Sequence, residues 1–74
     1  MKQPLNRNEE KVLEAILEFF KENKKMPTRV QLATKLTNET QIVSPQLLQY
    51  WLRLMEKKGW LVLIPFRRRN ISLK

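Results

Sequence analysis

The chain has 74 residues, with 15 Lys and Arg against 7 Asp and Glu, no histidine and no cysteine, and a net charge of +8. A domain this small buries only about 60% of the surface its unfolded chain exposes, so it holds one compact core and no second module. Without Cys or His there are no disulfide staples, no thiolate or imidazole metal ligands and none of the nucleophile–base pairs built on those groups; no enzyme activity, cofactor or metal is expected.

The longest apolar run, residues 60–64, falls far short of the roughly 20 residues that a membrane span needs. The opening MKQPLNRNEE has no apolar signal-peptide core. A soluble cytoplasmic protein that does not enter membranes, nucleoid-associated if bacterial, is the expectation. The charge is lopsided: residues 1–26 carry six Lys and Arg against five Glu, whereas residues 27–74 carry nine against two. A one-sided basic surface draws polyanions, nucleic acid above all, although basic residues also serve plain solubility.

Residues 1–5 read as a flexible lead-in. Asn6, with Glu9 three residues on, forms a capping-box pattern that opens a first helix over about 7–23. Val12, Leu13, Ile16, Phe19 and Phe20 make its inward stripe, and Glu10, Glu14, Glu18 and Glu22 an acidic outer ridge at four-residue spacing. That ridge reads as a solvated face and should not meet a phosphate backbone. Asn23 tolerates the left-handed region and Pro27 disfavours helix at Met26, so the helix ends here. Thr28, with Gln31 three residues on, caps a short second helix over about 29–36, with Val30, Leu32, Ala33 and Leu36 inward. Its positive end, with Thr28 and Arg29, suits one phosphate oxygen as well as an ordinary cap.

A polar stretch without glycine, 37–43, follows, and Ile42 and Val43 are placed to tuck under the next helix as a staple. Ser44 as N-cap and Pro45 at the first helical position start a third helix over 44–58, SPQLLQYWLRLMEKK. Lys57 and Lys58 suit the negative end of its dipole, and Gly59, the only glycine, supplies the left-handed stop. Leu48, Leu52 and Met55, with Trp51 beside them, form the buried stripe. The opposite face reads Gln46, Leu47, Gln49, Tyr50, Arg53 and Lys57, side chains that can donate to base edges, stack or neutralise phosphate. Residues 60–64 read as a strand, 65–69 as an arginine-rich loop and 70–73 as a returning strand. On such a hairpin Arg67, Arg68 and Arg69 become phosphate or minor-groove contacts rather than a merely solvated run.

Three helices and a two-stranded wing make a mainly α domain with a small β-hairpin, the winged helix-turn-helix order. The segments LNRNEEKVLEAILEFFKENKKMPTRVQLATKL and SPQLLQYWLRLMEKKGWLVLIPFRRRNISL resemble the DNA-binding domain of the LexA repressor family over nearly the whole chain. The likeness is carried by Leu5-Asn6, Val12-Leu13, Ile16, Glu22-Asn23, Pro27, Gln31-Leu32-Ala33, Leu36, Ser44-Pro45, Leu52, Met55-Glu56-Lys57-Lys58-Gly59, Arg67, Arg69 and Ile71. It implies sequence-specific binding of double-stranded DNA, with the third helix in the major groove and the wing, 65–70, on the backbone or in the adjacent minor groove. Carried over position by position, it makes Ser44, Gln46, Leu47, Gln49 and Tyr50 base-facing and turns Arg53 toward phosphate. Two departures stand out: the turn before the third helix is about four residues longer and lacks that family's glycine, and Phe66 replaces the wing glycine. The family's self-cleaving serine and lysine domain has no counterpart in these residues, so no protease switch is expected.

A small transcriptional regulator that binds double-stranded DNA, as a homodimer or with a second DNA-bound partner, is the leading expectation. The competing one is a winged-helix protein-interaction or dimerisation module using the apolar strand 60–66, with Val62, Ile64 and Phe66 against a partner or a second copy. Alternation puts Leu61 and Leu63 inward with Val62 and Ile64 outward, or the reverse.

Overall fold

The computed structural model describes residues 2–65 and 70–73. Helices α1 (Arg7–Asn23), α2 (Arg29–Leu36) and α3 (Pro45–Lys57) are followed by strands β1 (Leu61–Leu63) and β2 (Ile71–Leu73), which form one antiparallel sheet. This is the winged helix-turn-helix layout, mainly helical with a small hairpin.

All three helix starts are closed by the side chains the sequence offers for them. Asn6 accepts from the Glu9 N–H and Glu9 accepts from the Asn6 N–H, both at 2.9 Å. Thr28 and Gln31 repeat that exchange at 3.1 and 2.9 Å, and Ser44 Oγ accepts from the Leu47 N–H at 3.1 Å with Pro45 in the first turn. Each satisfies backbone donors that no helix can satisfy for itself. The end of α1 differs from expectation: Lys24, not Asn23, takes the left-handed conformation, at φ 59°. At the end of α3, Gly59 at φ 87° lets the Trp60 N–H reach the Met55 carbonyl and the Gly59 N–H reach that of Glu56, a Schellman closure.

The core joins Val12, Ala15 and Ile16 of α1, Leu32 and Ala33 of α2, and Leu48, Trp51, Leu52 and Met55 of α3 with Val43, Leu61 and Ile71. Burying a leucine of this kind stabilises by about 1.5–3 kcal/mol. Three apolar residues expected inside face out. Phe20 is 48% exposed: Val12, Ala15 and Ile16 are buried and Leu13 is partly buried against the core, so the centre of the stripe lies away from residue 20. Val30 is 61% exposed, since it stands about 160° around the helix from Leu32. Ile42 is 82% exposed, so only Val43 acts as the staple, packing with Leu48 in the core.

The glycine-free turn of residues 37–43 is braced by its own side chains. Thr37 Oγ1 donates to the Ala33 carbonyl at 2.9 Å and accepts from the Val43 N–H at 3.0 Å. Asn38 Oδ1 accepts from the N–H groups of Thr40 and Gln41, each at 2.9 Å. Side-chain acceptors thus substitute for the conformational freedom of a glycine and set how α3 leaves α2.

Residues 2–5, read from sequence as a flexible lead-in, instead strap the molecule. The Gln3 N–H donates to the Lys58 carbonyl at 3.0 Å, and Trp60 Nε1 donates to the Gln3 carbonyl at 2.6 Å. Lys2 lies 4.7 Å from the Trp60 ring centre, within cation–π range, and Leu5 packs on the core. Beside the strap, the Glu9 carboxylate is fully buried and paired with the Lys58 ammonium, which bolts the start of α1 to the end of α3. Its second oxygen has no hydrogen-bond partner among the described residues, so Lys58 is the single charge that compensates it.

Candidate nucleic-acid interface

Because Leu48, Trp51, Leu52 and Met55 occupy one side of α3, the rest of its circumference is left for another use. Gln46, Leu47, Tyr50, Arg53 and Lys57 are exposed and Gln49 is half-buried, with Tyr50 at 61%. Most of this face is accessible in the folded chain, Gln49 less than the others. Ser44 is exposed at its head; its oxygen serves the cap while the hydroxyl hydrogen remains available to donate.

α2 contributes unequally. Thr28 is buried and its oxygen is engaged by the cap, which leaves it little surface for a phosphate. Arg29 is exposed and reaches across to α3, where Nη1 donates to Gln49 Oε1 at 3.0 Å. Sequence reading treats these two residues as separate contacts; nothing local links positions 20 apart.

The hairpin stands beside the same face. Leu61 pairs with Leu73, Val62 with Ser72 and Leu63 with Ile71, and the Ile64 N–H continues the ladder to the Asn70 carbonyl at 2.7 Å. Of the two alternation patterns open in the sequence, Leu61 points inward and Val62 outward; the apolar strip expected over 60–66 therefore narrows on β1 to Val62, 37% exposed. The outer edge of β1 is tied to α3: Glu56 Oε2 accepts from the Leu63 N–H at 2.8 Å. Sequence reading missed Glu56, and the available signal is that a carboxylate in the last turn of a helix opposes the dipole, which a compensating partner explains.

Between α3 and the hairpin lies an open cleft of about 410 Å³, bordered by Gln49, Arg53 and Lys57 on one side and by Ile64, Pro65 and Asn70 on the other. Pro65 and Asn70 are the residues on either side of 66–69. Both ends of the wing loop thus stand on the cleft that holds Arg53 and Lys57. Arg67, Arg68, Arg69 and Phe66 lie outside the described residues.

Among the described residues no group of His, Cys, Asp or Glu is arranged to hold a metal, and no helix is long and apolar enough to cross a membrane. Comparison with models of known protein families gives no match, and comparison with curated protein sequences gives no significant one.

Proposed function

We propose that the protein is a small transcriptional regulator that binds double-stranded DNA in a sequence-specific way, with α3 in the major groove and the wing, 65–70, on the backbone or in the adjacent minor groove. The observation that carries this reading is the shared cleft: the two ends of the arginine-rich loop adjoin the helix face on which Arg53 and Lys57 stand. Ser44, Gln46, Leu47, Gln49 and Tyr50 supply base-edge contacts, Arg53 and the loop arginines neutralise phosphates, and Arg29 stands beside Gln49 at the edge of the same face. The role is one of binding rather than catalysis and belongs in the cytoplasm, beside the DNA. One module spans few base pairs, so useful affinity comes from a homodimer or a second DNA-bound partner.

A partner-docking reading through Val62, Ile64 and Phe66 has less support, since β1 turns its leucines inward and leaves a narrow outer strip. Duplex binding titrated against salt tests the choice. About four phosphate contacts give a log–log slope near −3.5. Failure to bind any duplex from a random pool at low salt overturns the proposal.

A further inference from the structure

Gln49 taken alone suggests adenine, because a glutamine amide can accept from adenine N6 while donating to N7. Its surroundings alter that chemistry. The Arg29 guanidinium already donates to Gln49 Oε1 at 3.0 Å, which occupies one of the two lone pairs of the amide oxygen and turns that oxygen toward Arg29, while Nε2 keeps both of its hydrogens. Arg29 itself carries five N–H donors and no acceptor, and only one of its nitrogens is engaged here. Side by side, the two side chains offer mostly donors, with one lone pair of Oε1 as the acceptor left beside a guanidinium. An adenine N6 amine brought to them would have to share Oε1 with the guanidinium and would set its hydrogens against the other N–H groups of Arg29.

The pair has a place to work. Arg29, Pro45, Gln46 and Gln49 line one recess of about 220 Å³ where the start of α2 meets the first turns of α3. We infer that Arg29 and Gln49 act as a composite reader of guanine, whose major-groove edge presents two acceptors, N7 and O6, to a wall in which donors predominate. Arg29 thereby becomes a specificity-determining residue in α2, and the adenine preference that Gln49 would have by itself is reversed. The inference rests on the DNA-binding reading above and names the base that one part of that site selects.

Selection of bound duplexes from a random pool, using the full chain and its Arg29→Ala and Gln49→Ala variants, tests it. Arg29 is exposed and Gln49 half-buried, and thermal melting of each variant verifies that it folds. The expected result is a guanine in the wild-type motif at the position whose preference Gln49→Ala erases. In Arg29→Ala the released amide turns that position toward adenine, with guanine-over-adenine discrimination falling by on the order of tenfold or more.

If Arg29→Ala leaves the motif unchanged and lowers affinity for every sequence alike, with the salt slope smaller by about one, Arg29 touches phosphate only and the inference is overturned. It is likewise overturned if Gln49→Ala changes no position, or if the wild type already prefers adenine there. In these cases DNA binding itself survives; a selection that enriches no duplex removes the DNA-binding reading and this inference together.

Discussion

Two concavities of similar size lie on different sides of the molecule, and their charges are disposed differently. The one along α1 and α2, about 300 Å³, is lined by Lys11 and Lys35 together with Glu14 and Glu18, and Lys35 lies 3.3 Å from Glu18. The one between α3 and the hairpin, about 410 Å³, is lined by Arg53, Lys57 and Glu56, and its acid is committed to the Leu63 N–H. In the first, opposite charges answer one another. In the second, neither cation has an acidic partner among the described residues. The second therefore has an excess of positive charge and the first has none, so it is the distribution of charge, more than its total of +8, on which the proposed DNA-binding role of the α3 cleft rests.

The most severe way to break this contrast is to break the bolt that holds α1 against α3. Lys58→Ala leaves the Glu9 carboxylate buried without its compensating charge, and a loss of about 3 kcal/mol is expected, read as a drop in melting temperature and urea midpoint. Next in size is charge reversal: Arg53→Glu with Lys57→Glu should weaken duplex binding on the order of 100-fold at low salt, whereas Lys11→Glu with Lys35→Glu should change it only a few-fold. Equal losses from the two pairs in a fluorescence titration would erase the distinction between the concavities.

Glu56→Ala, which removes both the charge and the acceptor oxygen, sharpens the comparison because geometry and charge predict opposite results. On charge alone, removing an acid from the cleft tightens DNA binding. With Glu56 as the tether of β1, the variant loses about 1–2 kcal/mol of stability and binds more weakly, as the hairpin is less firmly held beside α3. Tighter binding at unchanged stability would rule out the tether. Smallest is Lys24→Gly, which relieves a left-handed lysine at the end of α1 and should raise stability by about 1 kcal/mol or less without moving DNA affinity. A binding change in that variant would mean that α1 contributes to the interface directly.

What the sequence makes legible follows from how far apart the interacting residues are. The pairs Asn6–Glu9 and Thr28–Gln31, the start at Ser44-Pro45 and the stop at Gly59 all act within a few positions, and each is found where local chemistry puts it. Phe20, Val30 and Ile42 are misplaced by the same reading: Phe20 lies at the rim of its stripe, Val30 on the opposite face of α2 from Leu32, and Ile42 in a turn where nothing local decides burial. The contacts that shape the candidate site span longer separations: Arg29 to Gln49, Glu9 to Lys58, and Gln3 to both Lys58 and Trp60. No periodicity encodes them. Glu56 falls between these cases, an acid poorly placed for its helix whose partner appears only once β1 is in position.

The amino-terminal strap has a further consequence for the layout of the chain. Gln3 is held at Lys58 and Trp60, while Leu73 pairs with Leu61, so residues 3 and 73 converge on one corner of the fold. A short linker joining them would cross little distance, and the backbone could be reopened at the exposed tip near Glu39 and Thr40. A circularly permuted protein of that design should keep α3 and the wing in their relation to each other, and a fusion partner attached at either extremity would emerge beside Trp60 and Leu61 rather than at the wing tip.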